Sequence, residues 1–148
     1  MNNQYWNDSD VLFVPLGGSG EIGMNANLFH HNGRWIMVDL GISFPDETMP
    51  GVDVVLPDLR FIEKQRDKLD GLVVTHGHED HLGAIPYLWE KLQCPIYGTP
   101  FTLALVRGKI KEHLPDAKVK LISLPFNEQV KIGNFEVEFV SLTHSILF

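Results

Sequence analysis

The sequence predicts an α/β sandwich of mixed sheets. Hairpin signals open and close the chain, strand-helix-strand units lie between them, and no internal repeat, low-complexity tract or linker divides it. With 148 residues, 44% hydrophobic and 21% charged, the chain is sized for one domain with a substantial core. Val11 to Leu16 is a β-branched and aromatic run that stops at Gly17-Gly18, which reads as a strand ending in a tight turn. Asn25 to Asp39 then places Asn32-Gly33 between the apolar stretches Ala26 to Phe29 and Trp35 to Val38, a strong hairpin signal.

Residues 41 to 57 carry Gly41, Pro45, Gly51 and Pro57 with little periodicity and read as a long irregular loop, a kind of segment that is often functional. Asp58 to Lys68 is expected to be a helix with Asp58 near its N-cap, followed by a strand from Gly71 to Thr75. Leu82 to Leu92 has helical apolar spacing, with Pro86 tolerable only in the first turn. Pro95 to Gly98 reads as a short strand, and Thr99-Pro100 as the start of a helix running to about Glu112. Lys118 to Leu124, Gln129 to Ile132 and Phe135 to Leu142 are strand-like, the last two joined by a hairpin at Gly133-Asn134.

A formal charge of -7 and a pI near 5.4 argue against a surface that coats nucleic acid generally, since such binding depends on Lys and Arg releasing counterions. Bound cations would add positive charge that a residue count misses, so a phosphodiester substrate stays compatible with an acidic chain. No apolar run approaches the roughly 20 residues that cross a bilayer, and MNNQYWNDSD lacks the layout of a secretory signal, so a cytoplasmic protein with no membrane partner is expected. The single cysteine, Cys94, lies in an apolar-flanked string and reads as a small buried packing residue.

The chemistry concentrates in Thr75-His76-Gly77-His78-Glu79-Asp80-His81, where three histidines and an aspartate fall within six positions between a strand and a helix. His76 and His78, two apart at a strand end, can direct their imidazoles to one side. Asp80 and His81 follow the turn toward the helix and can face a second position. Imidazole with carboxylate suits Zn²⁺ first, or Mn²⁺ if oxygen ligands dominate. A catalytic zinc takes three protein ligands and keeps one position open, and His144, after a strand and between the small polar Thr143 and Ser145, is the candidate third ligand. Spacing alone leaves His144 no more than an even choice. Two ions sharing a water would yield hydroxide near neutral pH and stabilise the charge of an in-line attack, a hydrolase design in which catalysis falls to Asp80 and His81.

Other candidates have plainer readings. His30 and His31 flank the Asn32-Gly33 turn and are expected to be exposed, and His113 sits at a helix end, where the dipole favours a positive side chain. Asp39 either shapes a turn or accepts a hydrogen bond from a ligand histidine and fixes its tautomer. Glu79 is expected to point away from the metals. Gly17-Gly18-Ser19-Gly20 lacks the lysine of a phosphate-binding loop and reads as a tight turn.

His76-Gly77-His78-Glu79-Asp80-His81 resembles the metal motif of the metallo-β-lactamase fold, an αββα sandwich, and within that superfamily the chain is similar to the ribonuclease J family. The more specific marks are Gly17 to Asn25, Asp39-Leu40-Gly41 with Phe44-Pro45, Gly51-Val52-Asp53 leading to Leu56-Pro57-Asp58, Thr75 to Tyr87, Tyr97-Gly98-Thr99 and Thr143-His144-Ser145. The resemblance implies a zinc-dependent ribonuclease with two ions, acting as a 5′-to-3′ exonuclease and as an endonuclease on RNA in its maturation and decay. It implies His76, His78 and His144 as ligands of the first ion, Asp80 and His81 of the second, and Asp39 as the structural aspartate beside them.

The family's bridging carboxylate and last metal-binding histidine lie beyond the third motif. On the resemblance, residues 1 to 148 are therefore expected to be the N-terminal part of a metallo-β-lactamase domain, without the β-CASP and C-terminal domains, weak or inactive alone and oligomeric when full-length. The competing readings are a thioester or lactone hydrolase of the same fold and a catalytically silent metal-binding module.

Overall fold

In the computed structural model, which describes residues 6–144, β1 (Leu12–Gly17), β2 (Ala26–His31) and β3 (Arg34–Val38) form an antiparallel meander. Met1 to Tyr5, half of the segment that lacks a signal layout, and Ser145 of the Thr143-His144-Ser145 motif lie outside the described residues. The β2–β3 turn falls at Asn32-Gly33 as expected, with both residues at positive φ (48° and 72°), the backbone that a two-residue hairpin requires.

From β3 onward the sheet turns parallel. β4 (Leu69–Val73), β5 (Ile96–Gly98) and β6 (Leu121–Ser123) add in order, giving six strands in the sequence β1-β2-β3-β4-β5-β6. A second sheet consists of β7 (Gln129–Ile132) and β8 (Phe135–Glu138), joined at Gly133-Asn134. Strand alternation divides the sheet residues between two cores. Leu28, Trp35, Met37 and Leu72 pack under the helices, while Ile36, Val73, Leu124 and Ile132 meet Phe29, Val130, Phe135 and Val137 beneath the β7–β8 hairpin. The predicted mixed α/β sandwich is thus present as a helix layer and two sheet layers among the described residues.

The helices cover one face. α3 (Ile85–Leu92) buries Ile85, Leu88, Trp89 and Leu92, and α4 (Pro100–His113) buries Thr102, Leu103, Val106 and Ile110. Thr99 caps α4 by accepting a hydrogen bond from the Thr102 N–H, and Pro100 occupies the first turn, where its missing N–H costs nothing. Cys94 is buried, as expected, and desolvation pushes its thiol up to about 12.

Several expectations need correction. The helix anticipated over Asp58 to Lys68 shrinks to α1 (Arg60–Glu63) and a 3-10 turn (Arg66–Lys68). Asp58 does lie near the N-cap, one residue before Leu59; its carboxylate accepts from the Arg60 N–H at 2.9 Å and also holds the Arg60 side chain, so a local turn precedes the short helix. The helix expected from Leu82 is split into α2 (Glu79–Leu82) and α3, because Pro86 can sit only in a first turn and the Ala84 N–H is drawn to Leu40 O at 3.0 Å. The last strand stops at Glu138, after which Phe139 makes only a bridge to Phe126.

His30 is not exposed. It lies on the face of β2 shared with Ala26 and Leu28, is 2% accessible, and packs 4.7 Å from the Trp35 ring. His31 is half-buried on the opposite face.

Candidate metal centre

The two parallel neighbours β3 and β4 end side by side, and the residues after each form the floor of the site, the usual place for a ligand in an open α/β sheet. Asp39 leaves β3 at φ +65°, a backbone that Asp tolerates better than most residues, and its N–H remains bonded to Val73 O at 2.8 Å. The turn aims its carboxylate across to the end of β4, where it accepts from the Thr75 N–H at 2.8 Å and from the Thr75 hydroxyl.

Three loops then lock together through backbone bonds. Asn25 N–H donates to Asp80 O at 3.0 Å, Gly41 N–H to Asn25 O at 2.9 Å, Leu40 N–H to His81 O at 2.8 Å and Ile42 N–H to Glu79 O at 3.1 Å. Gly41 is required there. A Cβ at that position would fall inside the Asp80 carbonyl. Glu79 points outward, pairing with Lys109 of α4 at 2.6 Å, as its position in the motif suggested.

On this frame His76, His78 and His144 converge, with one ring nitrogen from each lying within 4.8 Å of the others. His76 Nε2 is 3.0 Å from His78 Nδ1 and 3.2 Å from His144 Nε2. Two ligand atoms about 2.0–2.1 Å from one tetrahedral ion are roughly 3.3–3.4 Å apart, so His76 already stands near ligand spacing from both partners. The donor set fits zinc-type chemistry: three imidazoles and room for a fourth ligand, since His144 is exposed.

Asp39 serves this cluster and its neighbour. Its Oδ2 lies 2.7 Å from His81 Nδ1, which puts the His81 proton on Nδ1 and leaves Nε2 as an acceptor. Thr75 Oγ1 donates to Asp39 and stands 2.9 Å from His76 Nδ1, so the same carboxylate orients His76 through one hydroxyl. Sequence reasoning placed Asp39 here but missed Thr75, whose only signal was a hydroxyl directly before the first histidine of the motif. Asp80 and His81 lie beside this cluster, with Asp80 Oδ2 3.4 Å from His81 Nε2 and the Asn25 carboxamide against both.

The histidines differ in basicity. Desolvation, assisted by the nearby His81, His78 and His144, lowers the His76 pKa from 6.5 to about 4 against the pull of Asp39. Burial alone would also lower that of His81, but the hydrogen bond and charge of Asp39, with Asp80, outweigh it and raise the value. In a metal-free NMR titration, the His76 imidazole is expected to stay neutral until about pH 4, while His81 protonates above 6.5. Asp39→Asn should bring the His81 midpoint down; an unmoved midpoint would contradict the assignment.

Residues 20–145 match the Metallo-beta-lactamase superfamily, and the chain belongs to that superfamily. The Zn²⁺-bound PqqB from Methylobacterium extorquens has a similar fold, with a TM-score of 0.50 and 18% identity over 74% of this chain and 39% of that one. Within the superfamily the sequence is most informatively similar to ribonuclease J. It is 47% identical to the protein of that name from Mycolicibacterium smegmatis over 134 residues, covering 90% of this chain and 24% of that protein. It is 41% identical to ribonuclease J of Sinorhizobium meliloti over 143 residues, covering 94% of this chain and 25% of the relative. The chain thus spans about a quarter of the length of these curated relatives. The resemblance read from the motifs is the one the comparisons return.

Proposed function

We propose that the chain carries the larger share of the metal centre of a zinc-dependent ribonuclease, one that cleaves RNA phosphodiesters as a 5′-to-3′ exonuclease and as an endonuclease. The observation that carries the reading is the convergence of His76, His78 and His144 beside the Asp80–His81 pair, in a sequence similar to ribonuclease J. Zinc at such a centre would supply Lewis acidity and an acidified water, with Mn²⁺ as a possible substitute. His76, His78 and His144 would hold the first ion, and Asp80 and His81 would hold the second and carry catalysis. Asp39 would keep His81 and His76 in the tautomers that present Nε2 to the ions.

The length of the relatives supports reading residues 1–148 as the N-terminal part of a metallo-β-lactamase domain. On that reading the remaining ligands lie beyond the third motif, an inserted β-CASP domain supplies a second RNA-binding wall, and the full-length protein is a cytoplasmic homo-oligomer. Among the described residues no helix is long and apolar enough to cross a membrane.

A 5′-labelled monophosphorylated RNA should be degraded by the full-length protein and protected by a chelator, with this chain alone giving little cleavage. Chelator-insensitive cleavage, or robust cleavage by the isolated chain, would contradict the reading.

A further inference from the structure

Asn25 stands in the turn between β1 and β2, and its backbone is held on both sides, by Asp80 O at 3.0 Å and by the Gly41 N–H at 2.9 Å. Its side chain returns to the same place. The carboxamide nitrogen donates to Asp80 O at 3.0 Å and lies 3.4 Å from Asp80 Oδ2 and 3.3 Å from His81 Nε2. An amide carries two hydrogens, so one serves the carbonyl and the other lies between a carboxylate oxygen and the imidazole nitrogen that His81 leaves unprotonated. Those two acceptors are themselves 3.4 Å apart, the separation of two ligands on one tetrahedral ion with bonds of about 2.0–2.1 Å.

We propose that Asn25 is a positioning residue for the second cation: its side-chain N–H donors fix the Asp80 peptide and gather Asp80 Oδ2 and His81 Nε2 to the spacing one ion needs. This rests on reading the site as a metal centre. The Asp80 side chain is 39% accessible and extends from the single turn of α2, so without a donor beside it the carboxylate can turn into solvent. The 3.0 Å bond to Asp80 O does not compete with an ion for either lone pair, and only the longer contacts to Oδ2 and Nε2 would give way to it. The Asn25 carboxamide reaches Asp80 and His81, so the effect is expected at their position. Loss of an outer partner of a ligand typically lowers metal affinity 10- to 100-fold.

Titrating diamagnetic Zn²⁺ into the metal-free chain while following the imidazole NMR signals resolves the two positions. In the wild type, the His76, His78 and His144 signals should show their largest shifts first and His81 at higher Zn²⁺. In Asn25→Ala and in Asn25→Asp, which keeps the shape but replaces the donors with acceptors, the His81 step should need about 10- to 100-fold more Zn²⁺. The first step should be unchanged. Tighter binding at His81 in Asn25→Asp would overturn the proposal by making residue 25 a ligand, and an unchanged His81 step in both variants would make the contact incidental. Loss of the metal-free fold in both variants, read by their amide spectra, would overturn it by reducing Asn25 to a structural brace. A wild-type His81 signal that never responds would also overturn it, whereas failure of all four histidines to respond would sink the metal-centre reading itself.

Discussion

Gly41→Ala is expected to lower stability by about 3 kcal/mol and to strip the site of metal affinity, a larger effect than any surface substitution should have. The added methyl would enter the Asp80 carbonyl, and neither strand of chain has slack to move aside. On one side Gly41 is bound to Asn25 O and its neighbours Leu40 and Ile42 to His81 O and Glu79 O; on the other, Asp80 O already accepts from Asn25. Relief therefore requires breaking several backbone bonds together. For a chain of this size, a loss of that magnitude corresponds to a fall in Tm of roughly 6–12 °C. Gly108→Ala is the control: it lies inside α4 with nothing within 4 Å of a new Cβ, and should stabilise by roughly 0.5–1 kcal/mol. Equal Tm values for Gly41→Ala and the wild type would show that the loops are not tied as described.

His76→Ala should remove metal binding at the first position while leaving the metal-free chain folded. His76 is the central member of the cluster, touching His78 at 3.0 Å and His144 at 3.2 Å, so its loss leaves two of the three imidazole ligands. The expected fall in zinc affinity exceeds the roughly 10- to 100-fold caused by losing an outer partner. Equilibrium dialysis against a competing chelator measures it directly. Thermal unfolding gives an independent reading, since ligand at about 100 times Kd stabilises the wild type by roughly 2.7 kcal/mol. That increment should vanish in the variant. A zinc-dependent rise in Tm that survives in His76→Ala would place the ion elsewhere.

Much of this could be read from residues close in sequence. Asn32-Gly33 specified the β2–β3 turn, Thr99-Pro100 specified the start of α4, and two histidines at a spacing of two after an apolar strand pointed to one side. Asp39 was identified because it ends the strand Trp35 to Val38 before Leu40-Gly41 and matches the structural aspartate of the family motif. Two omissions have a common cause. Asn25 meets Asp80 across 55 positions, and Thr75 meets Asp39 across 36, and no local pattern announces either contact. The shortened α1 failed for a different reason, since its helical spacing was real but Asp58 and Arg60 satisfied each other in a turn instead. His30 was misjudged because proximity to a turn was weighed above the two-residue alternation that carries it inward.

The backbone bonds that join residues 25, 40–42 and 79–84 have a consequence for how the region opens. Each loop closes its hydrogen bonds on another, so none can fray alone without exposing donors on its neighbours. The amides of Asn25, Leu40, Gly41, Ile42 and Ala84 should then exchange with solvent deuterium as one cooperative unit despite their separation along the chain. A cation bound at either position would slow exchange at all five together, including those that touch no ligand.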